Sequence, residues 1–384
     1  MTPHATPAPD SSPSPSPFGP GGDDADELDA VIHLAFAFDI GYEIDLERAR
    51  AVMPGESGSL ARRRRTPESI RYRPAPLRAT VDVAGLALPG GVVLTRPAQG
   101  ELSIFDFGAI SLMVRFPVRL TPAGLLELAG QLADSGPLNS AARLVVSPWV
   151  ERLKPVVFGF EVSDLSEEYI VFQLPDARAE WIADHAAWVA GLVRLEPGIM
   201  SRTEIAEATR LSLAYTPDDL VLLDWAAGFI ADRDCAETLQ VIEFANVQLL
   251  EFRHIDDRLD DRLEGAYRLI RPGRPARRWA PNWRTHSDAV RSVRELEIEA
   301  TSLFERADNA LKLIGDQYLS RVFDIASARF HLDEWQQSIR RKLDTVGDVF
   351  DLLVQQAGGT RGEVLELVVI LLITVEVVMA FVRH

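Results

Sequence analysis

Val31-Ile32-His33-Leu34-Ala35-Phe36-Ala37-Phe38 is the first long apolar run of this 384-residue chain, and it marks where ordered structure begins. β-Branched and aromatic residues at this density are typical of a strand. Similar short runs, punctuated by Gly, Pro and Asp, follow as far as Leu174. The later predicted strands are Val92–Leu94, Leu102–Phe107, Ile110–Val118, Leu144–Val146, Val156–Val162 and Tyr169–Leu174, with helices at Leu46–Val52 and Pro122–Ala133. The pattern predicts an α+β domain over residues 28–176 with a mostly antiparallel sheet.

The apolar spacing changes beyond Ala177, where apolar residues recur with the helical period. One such series is Leu239, Ile242, Ala245, Leu249 and Phe252. The sequence therefore predicts an all-helical region, beginning with a helical domain over residues 177–285.

Two heptad-like stripes follow over residues 286–358, with alternating steps of three and four. The first stripe is Val293, Leu296, Ala300, Leu303, Ala307, Ala310 and Ile314. The second is Leu332, Trp335, Ile339, Val346, Val349 and Leu353, with Lys342 at its one imperfect position. Such stripes predict a long antiparallel helical hairpin or a coiled-coil stalk.

The last strongly apolar segment, residues 363–382, predicts a single transmembrane helix, because as a helix its run from Val364 to Val382 spans roughly 28 Å. The two acids inside the run from Val364 to Val382, Glu366 and Glu376, oppose insertion, and Glu376 is expected to face a partner helix. We therefore expect self-association, with the body of the protein in the cytoplasm because basic residues precede the segment. The alternative is an apolar helix buried in an oligomer core, with both glutamates paired.

Composition limits the function further. A formal net charge of −17 disfavours binding to DNA, since affinity for phosphate backbones comes from clustered Lys and Arg. The single cysteine, Cys235, excludes an internal disulfide and favours a reducing compartment. Residues 1–27 are rich in Pro, Ser and acids and predict a disordered tail. No cofactor motif or metal-ligand spacing is present, so we predict no cofactor.

One acidic cluster leaves an enzyme open as an alternative. Asp256 and Asp257 precede Asp260 and Asp261 by four residues, so both pairs lie on one helix face, as Mg²⁺ and diphosphate ligands do in isoprenoid synthases. The competing interpretation is a solvated or salt-bridged helix face. The basic run at 62–65 also has two interpretations, as a contact for anionic lipid or as a solvated loop.

Three blocks carry a resemblance to a known family. The first is Ile104–Ile110, which contains Phe105, Asp106, Phe107 and Gly108. The second is Glu243–Arg253 with the acids after it, and its family-type residues are Ala245, Asn246, Leu250, Glu251, Arg253, Asp257 and Asp260. The third is the terminal run 365–378. In this order, over about residues 100–384, the chain resembles a bacterial-type member of the RMND (required for meiotic nuclear division) family.

The resemblance implies a domain of unknown function without established catalytic activity. The family's mitochondrial members are inner-membrane homo-oligomers that support organellar translation near ribosomes. The leading prediction is therefore a non-enzymatic, tail-anchored, oligomeric scaffold. Its expected partners are the membrane, further copies of the chain, and an unidentified cytoplasmic protein or the ribosome. The alternatives are a Mg²⁺-dependent enzyme acting on a diphosphate and a ribosome-tethering adaptor.

Overall fold

The computed structural model describes residues 27–53, 76–177, 184–216, 219–270, 298, 300–302, 304–305 and 317–348. The chain divides into two compact units. The first comprises residues 1–250 and 309–332, and the second comprises residues 251–308 and 333–384. Helix α6 contributes to both units.

An eight-stranded sheet forms the centre of the first unit, in the order β3-β4-β5-β1-β7-β10-β9-β8. Neighbouring strands are antiparallel except β7 and β10, which confirms the predicted α+β class and the mostly antiparallel sheet. Strands β2 and β6 pair separately. The strands of the described residues are β1 (Leu28–Asp39), β2 (Glu43–Ile44), β3 (Leu77–Val81), β4 (Gln99–Ile104), β5 (Ala109–Leu120), β6 (Val157–Phe158), β7 (Ser166–Gln173), β8 (Ser212–Leu213), β9 (Leu220–Leu223) and β10 (Ala227–Ala231).

The helices described alongside this sheet are mostly short. They are α1 (Leu46–Val52), α2 (Pro122–Leu132), α3 (Gly136–Leu153), α4 (Ala186–Arg194), α5 (Arg202–Ala208), α6 (Ala236–Ile270) and α7 (Gln317–Arg329), followed by α8 over residues 332–348. Helix α2 shows why such an element begins where it does. Its first residue is Pro122, and the Thr121 side chain accepts a hydrogen bond from the Gly124 amide at 3.1 Å.

Strand β1 lies between β5 and β7, and both of its faces are buried. Alternate side chains such as Ile32 and Phe36 belong to the main apolar core. Helices α2, α3 and α4 contribute to that core, and the indole of Trp188 in α4 donates a hydrogen bond to the Pro122 carbonyl at 2.9 Å. The opposite face carries His33 and small residues such as Ala35.

The opposite face of the sheet is covered by the first part of α6 and by α7. Tyr169 of β7 makes an edge-to-face contact with Phe330, just after α7, with ring centroids 4.9 Å apart. Phe244 of α6 lies 6.1 Å from Phe323 of α7. The sheet therefore forms the middle of a three-layer arrangement in the first unit.

The second unit is helical in its described residues. Phe252 of α6 makes an edge-to-face contact with Phe304, with ring centroids 5.9 Å apart. The Arg340 guanidinium of α8 lies over the same Phe304 ring, 5.1 Å from its centroid. Further buried apolar residues of the second unit are Ile255 and Leu259 of α6 and Ile339 and Val346 of α8. The second heptad-like stripe is thus buried at Ile339 and Val346, seven residues apart.

Three predictions of secondary structure are wrong. Val92–Leu94 forms no strand, and Leu94 pairs with Val118 only through an isolated bridge. Leu144–Val146 lies within α3, whose buried residues Leu138, Ala142, Val146 and Val150 are spaced by four, so the helical period overrides a short β-type run. Residues 212–213, 220–223 and 227–231, predicted to be helical, form β8, β9 and β10. These strands have two, four and five residues, and β10 is buried at every position, so no alternation was available to identify them.

Several predictions concern residues outside the described ones. They are the tail up to residue 26, the basic run 62–65, most of the stripe over 293–314, and the segment 363–382 with Glu366 and Glu376. Among the helices that the structure describes, none combines the length and the apolar character needed to cross a bilayer.

Candidate functional site

The first resemblance block forms the tight connection between β4 and β5. The Phe105 amide donates to the Ala109 carbonyl at 2.9 Å, which closes a turn over residues 105–108. Gly108 has a φ of 98°, and a Cβ on it would lie 1.6 Å from the Gly41 carbonyl oxygen. Glycine is therefore required here because both the backbone conformation and the close approach exclude a side chain.

This turn holds the segment that follows β1. The Ile40 amide donates to the Gly108 carbonyl at 3.0 Å, and the Ile44 amide donates to the Asp106 carbonyl at 2.8 Å. Phe107 is buried beside Phe105, with ring centroids 5.3 Å apart. The motif's chemistry is backbone hydrogen bonding and aromatic packing.

The structure brings the first two resemblance blocks together. The Phe105 ring lies 6.4 Å from the Phe244 ring of α6. Asn246 is 1% exposed, and its side-chain amide lies 3.5 Å from the Glu167 carbonyl of β7. Ala245 and Leu250 are fully buried. The second block therefore fixes α6 on the sheet within the first unit.

The acidic cluster lies further along α6, in the second unit. The Lys342 ammonium of α8 lies 2.9 Å from Asp256 Oδ1 and 2.6 Å from Asp260 Oδ1. Partial burial acts to lower the pKa of Lys342, but its hydrogen bonds to Asp260 and Asp256 outweigh this and raise the pKa above its ordinary value. Lysine thus occupies the position between two carboxylates that a bound cation would take.

The other family-type residues of this block differ in their exposure. Glu251 is buried, Arg253 is half-buried and Asp257 is exposed. In the part of the chain that the structure describes, no three His, Cys, Asp or Glu side chains are placed as ligands of one metal ion. The salt-bridged interpretation of the acidic cluster therefore accounts for Asp256 and Asp260.

A buried charge network in the first unit has no counterpart in the sequence analysis. The Asp224 carboxylate after β9 is fully buried, 2.6 Å from Arg194 Nε and 3.3 Å from Arg329 Nη1. Burial raises the pKa of Asp224 more than the two arginines lower it. The network joins α4 and α7 to the end of β9, so its arrangement serves packing.

Two reactive side-chain types are buried in the same unit. His33 Nε2 lies 2.9 Å from Gln173 Oε1, and burial lowers the pKa of His33 to about 4, which leaves it neutral at pH 7. Burial raises the pKa of Cys235 to about 12, so its thiol is protonated at pH 7. Both side chains are buried in the first unit.

Comparison with known proteins covers the sheet domain. A family model described as the N-terminal domain of the uncharacterized protein MJ0711 matches residues 29–237, which extend from β1 into the start of α6. The chain belongs to this family. The MJ0711 N-terminal domain family thus includes the Phe105–Gly108 turn, whereas the block at Glu243–Arg253 and the acidic cluster lie beyond the matched residues.

One curated relative belongs to the same group. The uncharacterized protein MJ0711 of Methanocaldococcus jannaschii is 23% identical over 206 residues, which are 53% of this chain and 62% of the relative. The match thus spans less than two thirds of that relative's length. No solved structure matches the chain. The family model and this relative are both described as uncharacterized.

Proposed function

We propose that the protein is a non-enzymatic, membrane-anchored oligomeric scaffold and a member of the RMND family. The observation that carries the proposal is the bridge from Lys342 to Asp256 and Asp260. The acids that would serve a Mg²⁺-dependent enzyme instead connect two helices of the second unit. A lysine held between two carboxylates stabilises helix packing. It already supplies the positive charge that a metal ion would otherwise bring to these two groups.

The anchor part of the proposal is supported by the sequence of residues 363–382. Their apolar length fits a bilayer, and the body of the protein would then lie in the cytoplasm. Oligomerisation is supported by the heptad-like stripes and by Glu376, which needs a partner in lipid. Membership of the RMND family is supported by the three blocks, of which two contact each other through Phe105 and Phe244.

Membrane extraction tests the anchor. Cells expressing the full chain and a chain ending at Gly359 are fractionated, and the membrane pellets are washed with alkaline carbonate. The full chain should stay in the pellet and the shortened chain should be soluble. Release of both chains by carbonate would overturn the anchor.

Two point variants sharpen this test. Leu372→Arg places a charge near the centre of the segment, where the cost of insertion is about 3 kcal/mol, and it should release the protein. Arg383→Gln lies outside the segment and should not. Equal retention of both variants would contradict a membrane-spanning helix.

Oligomerisation has its own measurement. Single cysteines introduced between Val293 and Ile314 should cross-link to dimers or higher species in the native membrane, whereas cysteines on the opposite helix face should not. Monomers at every position would contradict the scaffold. The ribosome-tethering alternative predicts co-sedimentation with ribosomes that is lost when the four arginines at 62–65 are replaced by glutamine.

A further inference from the structure

A small cleft opens on the sheet face that α6 covers, at the start of that helix. Its polar lining comes from Arg78 of β3, Glu101 of β4, Arg115 of β5, and Gln240 and Glu243 of α6. The space that it encloses is about 30 Å³, and it widens to about 300 Å³ when the open mouth is included. All of these residues belong to the first unit.

The strand and helix repeats orient these side chains toward the same cleft. Arg78 pairs with Ser103 and Glu101 pairs with Thr80, so Arg78 and Glu101 are diagonal neighbours on one face of two antiparallel strands. Met113 and Arg115 are two apart on β5 and share a face. Gln240 and Glu243 are three apart on α6 and lie on one side of the helix. The cleft is thus built from three strands and one helix.

Arg78 is already engaged. Its guanidinium donates to Glu101, and it donates to Glu243 Oε2 at 3.2 Å. The Arg78 side chain is 11% exposed and that of Glu243 is 2% exposed, so this contact is shielded from water. The contact fixes the rim of the cleft and neutralises part of its acidic side.

Three polar groups in the cleft have no such partner. Glu243 Oε1 is buried and accepts no hydrogen bond in the structure. Gln240 is 9% exposed, and its amide makes no hydrogen bond with any residue that the structure describes. The same holds for the guanidinium of Arg115 among the described residues, where it forms neither a hydrogen bond nor an ion pair. Of these three groups, Glu243 Oε1 is the one that is buried away from water, and Arg115 is half-buried. Buried polar groups are nearly always satisfied, so the unsatisfied Glu243 oxygen beside two further polar groups without partners points to a ligand.

The charges define the chemistry of that ligand. Two arginines and two glutamates sum to zero, with the free positive charge on Arg115 and the free acceptor on Glu243 Oε1. A carboxylate matches Arg115, because guanidinium donors fit its geometry, and it can also accept from the Gln240 amide. A donor on the same molecule matches Glu243 Oε1. The buried side chains of Met113 and Leu239 line the same space and suit a small aliphatic group.

We propose that this cleft binds a small α-amino or α-hydroxy acid, with its carboxylate on Arg115 and Gln240 and its amino or hydroxyl group on Glu243. The site is separate from the scaffold proposal, because every residue that forms it lies in the first unit and none lies in the second unit or in residues 363–382. Binding here would give the protein a ligand to sense.

Equilibrium dialysis of the purified full chain tests the site with isotopically labelled glycine, L-alanine, glycolate, L-lactate and acetate. At least one amino or hydroxy acid should bind saturably, and acetate, which lacks the donor, should bind more weakly than that acid. Preference for the amino over the hydroxy acids identifies which donor Glu243 accepts. Absence of saturable binding by all five probes would overturn the proposal, and acetate binding as tightly as the best acid would remove the role of Glu243.

Matched variants tie the binding to the cleft. Arg115→Gln and Gln240→Met should each weaken binding at least about tenfold, because charge-assisted and buried hydrogen bonds are lost. Arg119→Gln is the control, since Arg119 lies on the same strand and pairs with Asp29 on the exposed surface. Thermal unfolding of all three variants shows whether each is folded. Arg115→Gln that is folded and binds as tightly as the unmodified chain would overturn the site.

Discussion

Arg329 at the end of α7 donates its Nε hydrogen bond to the backbone carbonyl of Leu223 at 3.0 Å, across 106 positions of sequence. The same guanidinium donates to the Glu207 carbonyl at 2.6 Å and pairs with the buried carboxylate of Asp224. One side chain therefore joins α7, α5 and the end of β9 in the first unit.

Replacing Arg329 by methionine should destabilise the protein by about 3 kcal/mol, because removal of one partner leaves a buried charge undercompensated. Arg194 stays beside Asp224 and keeps the loss from being larger. The free energy of unfolding is measured by urea titration followed by circular dichroism. Arg321→Met is the control, since Arg321 lies on the same helix and is exposed. An equal loss in both variants would contradict a special role for Arg329.

Gly108→Ala should be the more damaging of two glycine substitutions. It combines a positive φ with a 1.6 Å approach to the Gly41 carbonyl oxygen, so we expect a loss of more than about 3 kcal/mol. Gly91→Ala has a φ of 67° and no atom within 4 Å of the added Cβ, so it should cost only about 1 kcal/mol. Urea unfolding of both variants compares the two, and similar losses would show that the close approach to Gly41 can relax.

The sequence predicted the sheet-forming elements that carry long runs. Strand β1 was identifiable because both of its faces are buried, which keeps the run from Val31 to Phe38 apolar throughout. Strand β10 has only five residues, all buried, and neither its length nor its period distinguishes it from a turn of buried helix.

Side-chain sites that depend on distant pairing could not be predicted. Lys342 was identified as an exception in a heptad stripe, yet nothing local indicated that its partners are Asp256 and Asp260. Asp224 and Arg329 are separated by over a hundred residues, and each alone has the appearance of a surface charge. The cleft likewise depends on which faces of β5 and α6 meet, a property of the tertiary fold.

His33 should make the stability of the protein depend on pH. The unfolded imidazole takes up a proton near pH 6.5, whereas the folded one does so only near pH 4, so protons bind preferentially to the unfolded chain between these values. The free energy of unfolding should therefore fall by about 3 kcal/mol from this group as the pH drops from 7 to 4, and no further below pH 4. Urea titrations across this range measure the slope.

The contribution of His33 is isolated by substitution. His33→Gln cannot be protonated, so its stability should depend less steeply on pH over the same window, although carboxylates still titrate in both proteins. An unchanged slope in His33→Gln would contradict the buried neutral histidine.

Calorimetry with Mg²⁺ and inorganic diphosphate should give no heat of binding to the full chain. Lys342 already supplies the positive charge between Asp256 and Asp260, and a divalent ion would have to displace it. Saturable heat that disappears in Asp256→Asn would favour the enzyme alternative over the scaffold. Asp344→Asn is the control, because Asp344 is an exposed acid on α8.

Lys342→Met should destabilise the second unit by about 1 kcal/mol, a modest amount because Asp260 is 59% exposed and water screens part of the attraction. Arg341→Met, at the neighbouring exposed position, should change the stability less.

The stabilisation by Lys342 should also depend on pH. Since the pKa of Lys342 is raised in the folded state, its contribution to stability is complete below pH 10.5 and is lost as the pH rises through the folded pKa. At pH 7 the free energy of unfolding should therefore be lower for Lys342→Met than for the unmodified chain, as measured by urea unfolding. If the pKa of Lys342 is raised only slightly, this difference should disappear at pH 11. A difference that persists at pH 11 means that the pKa is raised further, and no difference at either pH would contradict the bridge.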